Sequence, residues 1–174
     1  MPSTPSPQSK PVAQTAASGG DWLAIVKTHH AAIAKTFEEL LATGMKAGAP
    51  RESALKKLAY QLTAHAVAEE NVLYPALAMH GMTSESDKLY LDQAHAKVMN
   101  AEVDMAAIAD KQGNPNAWLD KAKALQAAVL KHAKEDEEAN LYPKLKQKLD
   151  AKQNDMLTAE YQHQYASVKA DGSV

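Results

Sequence analysis

Apolar residues recur at alternating steps of four and three along four long stretches of this chain, and each stripe carries one histidine: His30, His65, His95 and His132. That period marks a helix with one buried face. No stretch alternates apolar and polar residues with the β-branched bias of a strand. The expectation is an all-α fold. Four long helices with short connections imply antiparallel neighbours, in an up-down-up-down four-helix bundle.

The first stripe reads Trp22, Val26, His30, Ile33, Phe37 and Leu40. Asp21 is a good N-cap after Gly19-Gly20, and Gly44, Gly48 and Pro50 end the helix. The second starts near Arg51, carries Leu55, Leu58, Leu62, His65, Glu69 and Val72, and ends near His80-Gly81. Thr83 or Ser84 caps the third, with Asp87 placed for a capping box after Ser84. Its stripe is read as Leu91, His95, Val98, Glu102 and Met105, and Gly113 stops it. Asn114-Pro115 restarts the chain as N-cap and first helical residue. The fourth helix carries Trp118, Ala122, Leu125, Val129 and His132 and runs to about Leu149. A shorter amphipathic stretch, Met156 to Val168, forms a fifth helix whose Tyr161 and Tyr165 cover one end of the bundle. The bundle domain is thus 21–150, with a C-terminal extension at 151–174. Residues 1–20 are rich in Pro, Ser, Gln and Ala and read as a disordered tail; Ala170 to Val174 read as frayed.

Composition narrows the chemistry. There are no cysteines, which excludes thiolate catalysis, Cys-ligated iron–sulfur clusters and Cys-containing zinc sites. Any metal must take nitrogen and oxygen ligands. The net charge of -2 gives no reason to expect nucleic acid or an anionic membrane as partner. No apolar run approaches the roughly 20 residues of a membrane span. The tail has no apolar segment of the secretory kind, so a cytoplasmic location is expected. Met45, Met79, Met99 and Met105 read as core filler.

A lone core histidine is more often hydrogen-bonded than metal-bound. Four, one per helix, point instead to a metal site built inside a bundle. Glu69 follows His65 by four residues and shares its face, and a buried carboxylate needs a partner. On the fourth helix two carboxylates compete. Regular geometry favours Asp136, four after His132. The near-duplicate phrases Glu69-Glu70-Asn71-Val72-Leu73-Tyr74-Pro75 and Glu137-Glu138-Ala139-Asn140-Leu141-Tyr142-Pro143 align Glu137 with Glu69 instead. A π-bulge would absorb the extra residue. Glu137 is preferred and Asp136 kept as the alternative. Imidazole with carboxylate suits iron, manganese, zinc or copper. This many ligands exceeds what one tetrahedral zinc needs and suits a pair of octahedral ions, iron ahead of manganese and zinc. The Glu-x-x-His pair of ferritin-like proteins occurs once, at Glu160 to His163, and His-Glu-x-x-His is absent.

With His30, His65 and Glu69, His95, and His132 with a carboxylate, the chain resembles the hemerythrin-like family, the HHE cation-binding domain, over about Trp22 to Leu149. The resemblance implies a non-haem diiron site bridged by Glu69, Glu137 and an oxo or hydroxo group. His30 and His65 would serve one iron, and His95 and His132 the other. Oxygen-carrying members place a second histidine on the third helix; here the flanking positions are Leu91 and Met99. One iron is therefore short of a ligand, and Glu102 reads as a partially solvated acid rather than a replacement. His29 stands where the family usually has an acidic residue and reads as a solvent-edge group. An open coordination position invites dioxygen, peroxide or nitric oxide. Peroxide disproportionation is the most concrete activity. An iron- or oxygen-responsive sensing module without turnover, or a specialised diiron oxygenase, are the alternatives. Tyr74 and Tyr142 read as helix-end packing residues with their hydroxyls in water.

Overall fold

The computed structural model describes residues 21–44, 48–111 and 117–169. The tail at 1–20, Met45, the Gly113-Asn114-Pro115 break and residues 170–174 lie outside them. The described residues are all-helical, without a strand: α1 (Trp22–Ala42), α2 (49–79), α3 (Thr83–Lys111), α4 (117–148) and α5 (Ala151–Ser167). Among the described residues, no helix is long and apolar enough to cross a membrane.

α1 follows its expected stripe throughout: Trp22, Val26, His30, Ile33, Phe37 and Leu40 are all buried. Asp21 caps it, its Oδ1 accepting from the Ala24 amide at 3.2 Å. Pro50, expected to end α1, instead lies in the first turn of α2, where its missing N–H costs no hydrogen bond. Gly48 before it sits at φ 141°, a conformation that side chains other than glycine's rarely adopt.

α2 and α4 share an unusual construction. Each is an α-helix, then a π segment, then a closing α turn: Ala49–Ala68, Glu69–Leu73 and Tyr74–Met79 in α2, and Ala117–Lys131, His132–Leu141 and Tyr142–Lys148 in α4. The expected bulge on α4 is present, and α2 has one as well. Proline explains both. Pro75 and Pro143 cannot donate to a preceding carbonyl, and the ring pushes that carbonyl away, so the helix widens to five-residue hydrogen bonds just before each proline. The amides of Tyr74 and Tyr142 reach back to the carbonyls of Glu69 and Glu137. The Glu70 carbonyl, five residues before Pro75, takes the Tyr90 hydroxyl instead, at 2.6 Å.

α3 differs from expectation in its register. Leu91, Val98 and Met105 are 71, 58 and 70% exposed, and His95 and Glu102 face solvent with them. The buried face is Ser86, Leu89, Gln93, Val103, Ala107 and Asp110. Its residues are smaller and more polar, so the larger apolar stripe drew the wrong face inward. Met79 and Met105 are accordingly not core filler; both are exposed.

α5 begins at Ala151, earlier than expected, behind a capping box between Asp150 and Gln153. It packs on α1 and α2 and buries Tyr161 completely. Two apolar clusters result. One gathers Trp22, Val26, Leu77, Tyr142 and Tyr161; the other gathers Ile33, Phe37, Leu58, Val103 and Trp118. Between Val26 and Ile33 on α1 lies His30, so the polar centre interrupts the core rather than capping it. At the far end of the second cluster Arg51 is buried, paired with Asp110 and stacked 4.0 Å over the Trp118 ring.

Candidate metal centre

His30, His65, Glu69 and Glu137 are all buried and offer ligand atoms within 4.8 Å of one another. α1 supplies the first, α2 the next two and the π segment of α4 the last. His30 Nε2 lies 2.9 Å from His65 Nε2 and 3.2 Å from Glu137 Oε2. His65 Nε2 lies 3.2 Å from Glu69 Oε2. His132 joins from the other side, its Nε2 3.1 Å from Glu137 Oε1. Glu137 thus extends one oxygen towards His30 and the other towards His132.

The rings share one orientation. Each of the three imidazoles turns Nε2 inward and Nδ1 outward. His30 Nδ1 meets Glu138 at 2.7 Å, His65 Nδ1 meets the Tyr161 hydroxyl at 2.9 Å, and His132 Nδ1 faces Asp92 at 3.5 Å. Metal-ligating histidines are held this way, by a polar partner on the far nitrogen. Two buried atoms of these five side chains have no hydrogen bond: Glu137 Oε2 and His132 Nδ1. Glu137 Oε2 lies 3.2 Å from His30 Nε2, whose closer neighbour is His65 Nε2 at 2.9 Å. A cation among the Nε2 atoms would satisfy that oxygen and replace the proton between His30 and His65. The residues present therefore fit a metal of nitrogen and oxygen preference.

Without such a cation, protons hold the cluster together. Burial, then repulsion from Glu137, pushes Glu69 up to about 8. Burial would also raise Glu137, but the charge and hydrogen bond of His132, with His30 behind, outweigh it and hold this carboxyl far below the usual range. His132 is raised to about 9: burial works against its charge, and Glu137, Glu69 and Asp92 overcome it. His30 is raised against its own burial by Glu137, Glu69 and Glu138, while burial and the neighbouring His30 depress His65. The cluster thus raises Glu69, His30 and His132 and lowers Glu137 and His65.

Tyr74 and Tyr142 correct their expected role. Neither hydroxyl reaches water; both residues are fully buried. The Tyr142 hydroxyl lies 2.6 Å from Glu69 Oε1 and 2.8 Å from Glu137 Oε1. Tyr74 reaches Glu137 Oε1 at 3.0 Å and His132 Nε2 at 3.1 Å. The signal was in the repeated phrase: both copies place a tyrosine five residues after the inward glutamate, the repeat of a π turn. Gln93 was also missed. Its amide donates to Glu69 Oε2 at 2.8 Å and to the Tyr74 hydroxyl at 3.1 Å.

The remaining candidates lie outside the buried four, Glu102 in solvent as its reading expects. His95 is exposed and outside the cluster, because the true register of α3 puts Gln93 inward. Asp136 is outside the buried four: it pairs with Lys88 at 3.0 Å. It forms a second acidic group with Asp92 and His132, where the Lys88 ammonium bonds both carboxylates. Glu102 pairs in solvent with Lys121. His29 is half-buried rather than at the solvent edge, stacked on Tyr165 and hydrogen-bonded to Tyr161. A cavity of about 250 Å³ opens beside the centre, lined by His30, His65, Gln93, His132 and, at its rim, Lys88 and His95.

Buried imidazole and carboxylate converging from three helices define a helical cation-binding domain. The chain belongs to the hemerythrin family: the model of the hemerythrin HHE cation binding domain matches residues 23–145. No curated protein and no solved structure matches it.

Proposed function

We propose that this chain is a non-haem diiron protein that binds and reacts with dioxygen, peroxide or nitric oxide. His30 and His65 would hold one ion and His132 the other, with Glu69 and Glu137 between them. The observation that carries the reading is Glu137, fully buried and extended between His30 and His132. The family match supports the cation, and the ligand chemistry supports iron. The long helices are read as an antiparallel up-down-up-down bundle, which the short turns at 80–82 and 149–150 support.

When bound, the iron pair supplies one-electron steps between ferrous and ferric states. The chain's own residues do the rest. Glu138 and Tyr161 orient the His30 and His65 rings, and the Asp92 carboxylate faces His132 Nδ1. Tyr74, Tyr142 and Gln93 fix the carboxylates. The apolar clusters on either side exclude water, and the cavity beside His132 gives a small ligand a way in. The side of His132 has fewer protein ligands than that of His30 and His65, which leaves room there for an exogenous molecule. Disproportionation of hydrogen peroxide to water and dioxygen is the concrete enzymatic form.

A single-ion site is the second reading, favoured by the convergence of only His30, His65, Glu69 and Glu137 in the tight cluster. Metal content and the visible spectrum of aerobically purified, iron-supplied protein separate the two. About two irons per chain with charge-transfer bands in the near-ultraviolet support the diiron reading. One metal per chain, or none after ferrous reconstitution, rules it out. Dioxygen evolution on adding peroxide then distinguishes an enzyme from a sensing module.

A further inference from the structure

α3 carries a second apolar stripe that nothing in the described residues covers. Leu91, Ala94, Val98, Ala101, Met105 and Ile108 are all exposed. They follow one another at steps of three, four, three, four and three, the a and d positions of a heptad. Leu89, Val103 and Asp110, on the opposite side of the same helix, are buried in the domain. The seam is about 25 Å long at 1.5 Å per residue. Three of the exposed side chains are more than half accessible aliphatics and one is a methionine at 70%. An uninterrupted stripe of this kind on a soluble surface marks an interaction site.

We propose that α3 pairs antiparallel with α3 of a second copy of this chain. The stripe is complementary to itself in that direction. About a two-fold axis near Met99 and Asn100, Leu91 faces Ile108 of the second copy, Ala94 faces Met105, and Val98 faces Ala101. Each alanine leaves room for the larger residue opposite. The charges flanking the stripe agree. Lys97 meets Asp104 of the second copy, and His95 meets Glu102, each twice by symmetry. In the chain alone Asp104 is half-buried and has no cation partner among the described residues, and burial raises its carboxyl. Lys97 and Glu102 are engaged with Glu70 and Lys121, but those pairs are solvent-exposed and hold little energy, so both are free to turn. A parallel pairing would place alanine on alanine and leave Asp104 opposite Ala109. Lys88 and His95, on the e edge of the seam, also line the cavity rim, so a second copy would lie against the entrance to the centre.

The test is the mass of the full chain in solution by light scattering and sedimentation over a range of concentrations. The expected mass is twice 18.7 kDa, with Val98→Glu raising the dissociation constant by about 100-fold or more while helicity and metal content stay as in the wild type. Lys97→Glu and Asp104→Lys should each weaken the dimer, and the double variant should restore it. Rescue of Lys97→Glu by Glu102→Lys instead identifies the parallel pairing and overturns the antiparallel one. A wild-type chain that stays at 18.7 kDa at every concentration, or a dimer indifferent to Val98→Glu, overturns the proposal altogether.

Discussion

Tyr142 and Glu69 come from different helices, and the phenol hydroxyl lies 2.6 Å from the carboxyl oxygen Oε1 with both residues fully buried. The contact joins the two copies of the Glu-Glu-x-x-Leu-Tyr-Pro phrase, because each tyrosine serves the other copy's glutamate as well as its own. Replacing the hydroxyl by hydrogen leaves a buried acid short of a partner. Tyr142→Phe should lower the stability of the metal-free protein by about 1–3 kcal/mol. Urea denaturation of metal-free wild type and variant measures it, and an unchanged midpoint would show that the hydroxyl is dispensable.

Metal uptake should depend on pH in a defined direction. Glu69, raised to about 8, and His132, raised to about 9, both carry a proton at neutral pH in the metal-free protein. A metal takes the carboxylate and the neutral imidazole, so binding expels both protons. Apparent affinity should therefore climb from pH 7 to pH 9 and level off above. The same shifts weaken the metal-free fold over that window. A group raised in the folded state contributes fully below its unfolded value and loses that contribution as pH rises through the folded one. The gap in Tm between metal-bound and metal-free protein should widen from pH 7 to 9. Calorimetric titration in buffers of different ionisation heat counts the protons, and a pH-independent affinity would contradict the assignment.

The histidines should separate by position. His95→Ala removes an exposed ring outside the cluster and should leave metal content unchanged. His65→Ala combined with His132→Ala should abolish metal binding. Metal analysis, with circular dichroism to follow helicity, reads both. A double variant that keeps its full metal complement would place the site elsewhere.

Far from the centre, Arg51 and Asp110 form a buried ion pair beneath Trp118. Asp110→Ala strands a guanidinium in the core and should cost about 3–5 kcal/mol, while metal content per folded chain stays constant. Thermal unfolding with metal analysis checks both halves of that statement.

α1 was legible because its stripe contains nothing but large apolar residues and one histidine, so period and burial coincide. α3 was not. It carries two stripes, and the one with the larger side chains, Leu91 to Ile108, is the solvent-facing one. Hydrophobicity alone ranks Leu91 above Ser86 and Gln93, although the polar pair is buried because it has partners: Ser86 donates to the Tyr74 carbonyl at 2.8 Å and Gln93 to Glu69. His95 leaves the centre for the same reason, since its position follows the register of α3. Tyr74, Tyr142 and Tyr161 were underestimated for a related reason. A tyrosine near a helix end or in a terminal extension gives no sign from its own stripe that a buried acid or imidazole waits opposite.

The two π segments have a consequence for how this centre tolerates change. Each inserts a phase shift of roughly 100° between the helix before it and the turn after it. The apolar stripes on either side of the centre are thereby uncoupled: Leu125 and Val129 can be in phase with one cluster while Leu141 and Leu145 are in phase with the other. Deleting one residue between Glu137 and Tyr142 would restore a regular helix locally. It would also swing Tyr142, Leu145 and everything beyond out of alignment with α1. Pro75 and Pro143 are in that sense timing marks, and the geometry at the middle of the domain depends on backbone spacing that no side chain at the centre can correct.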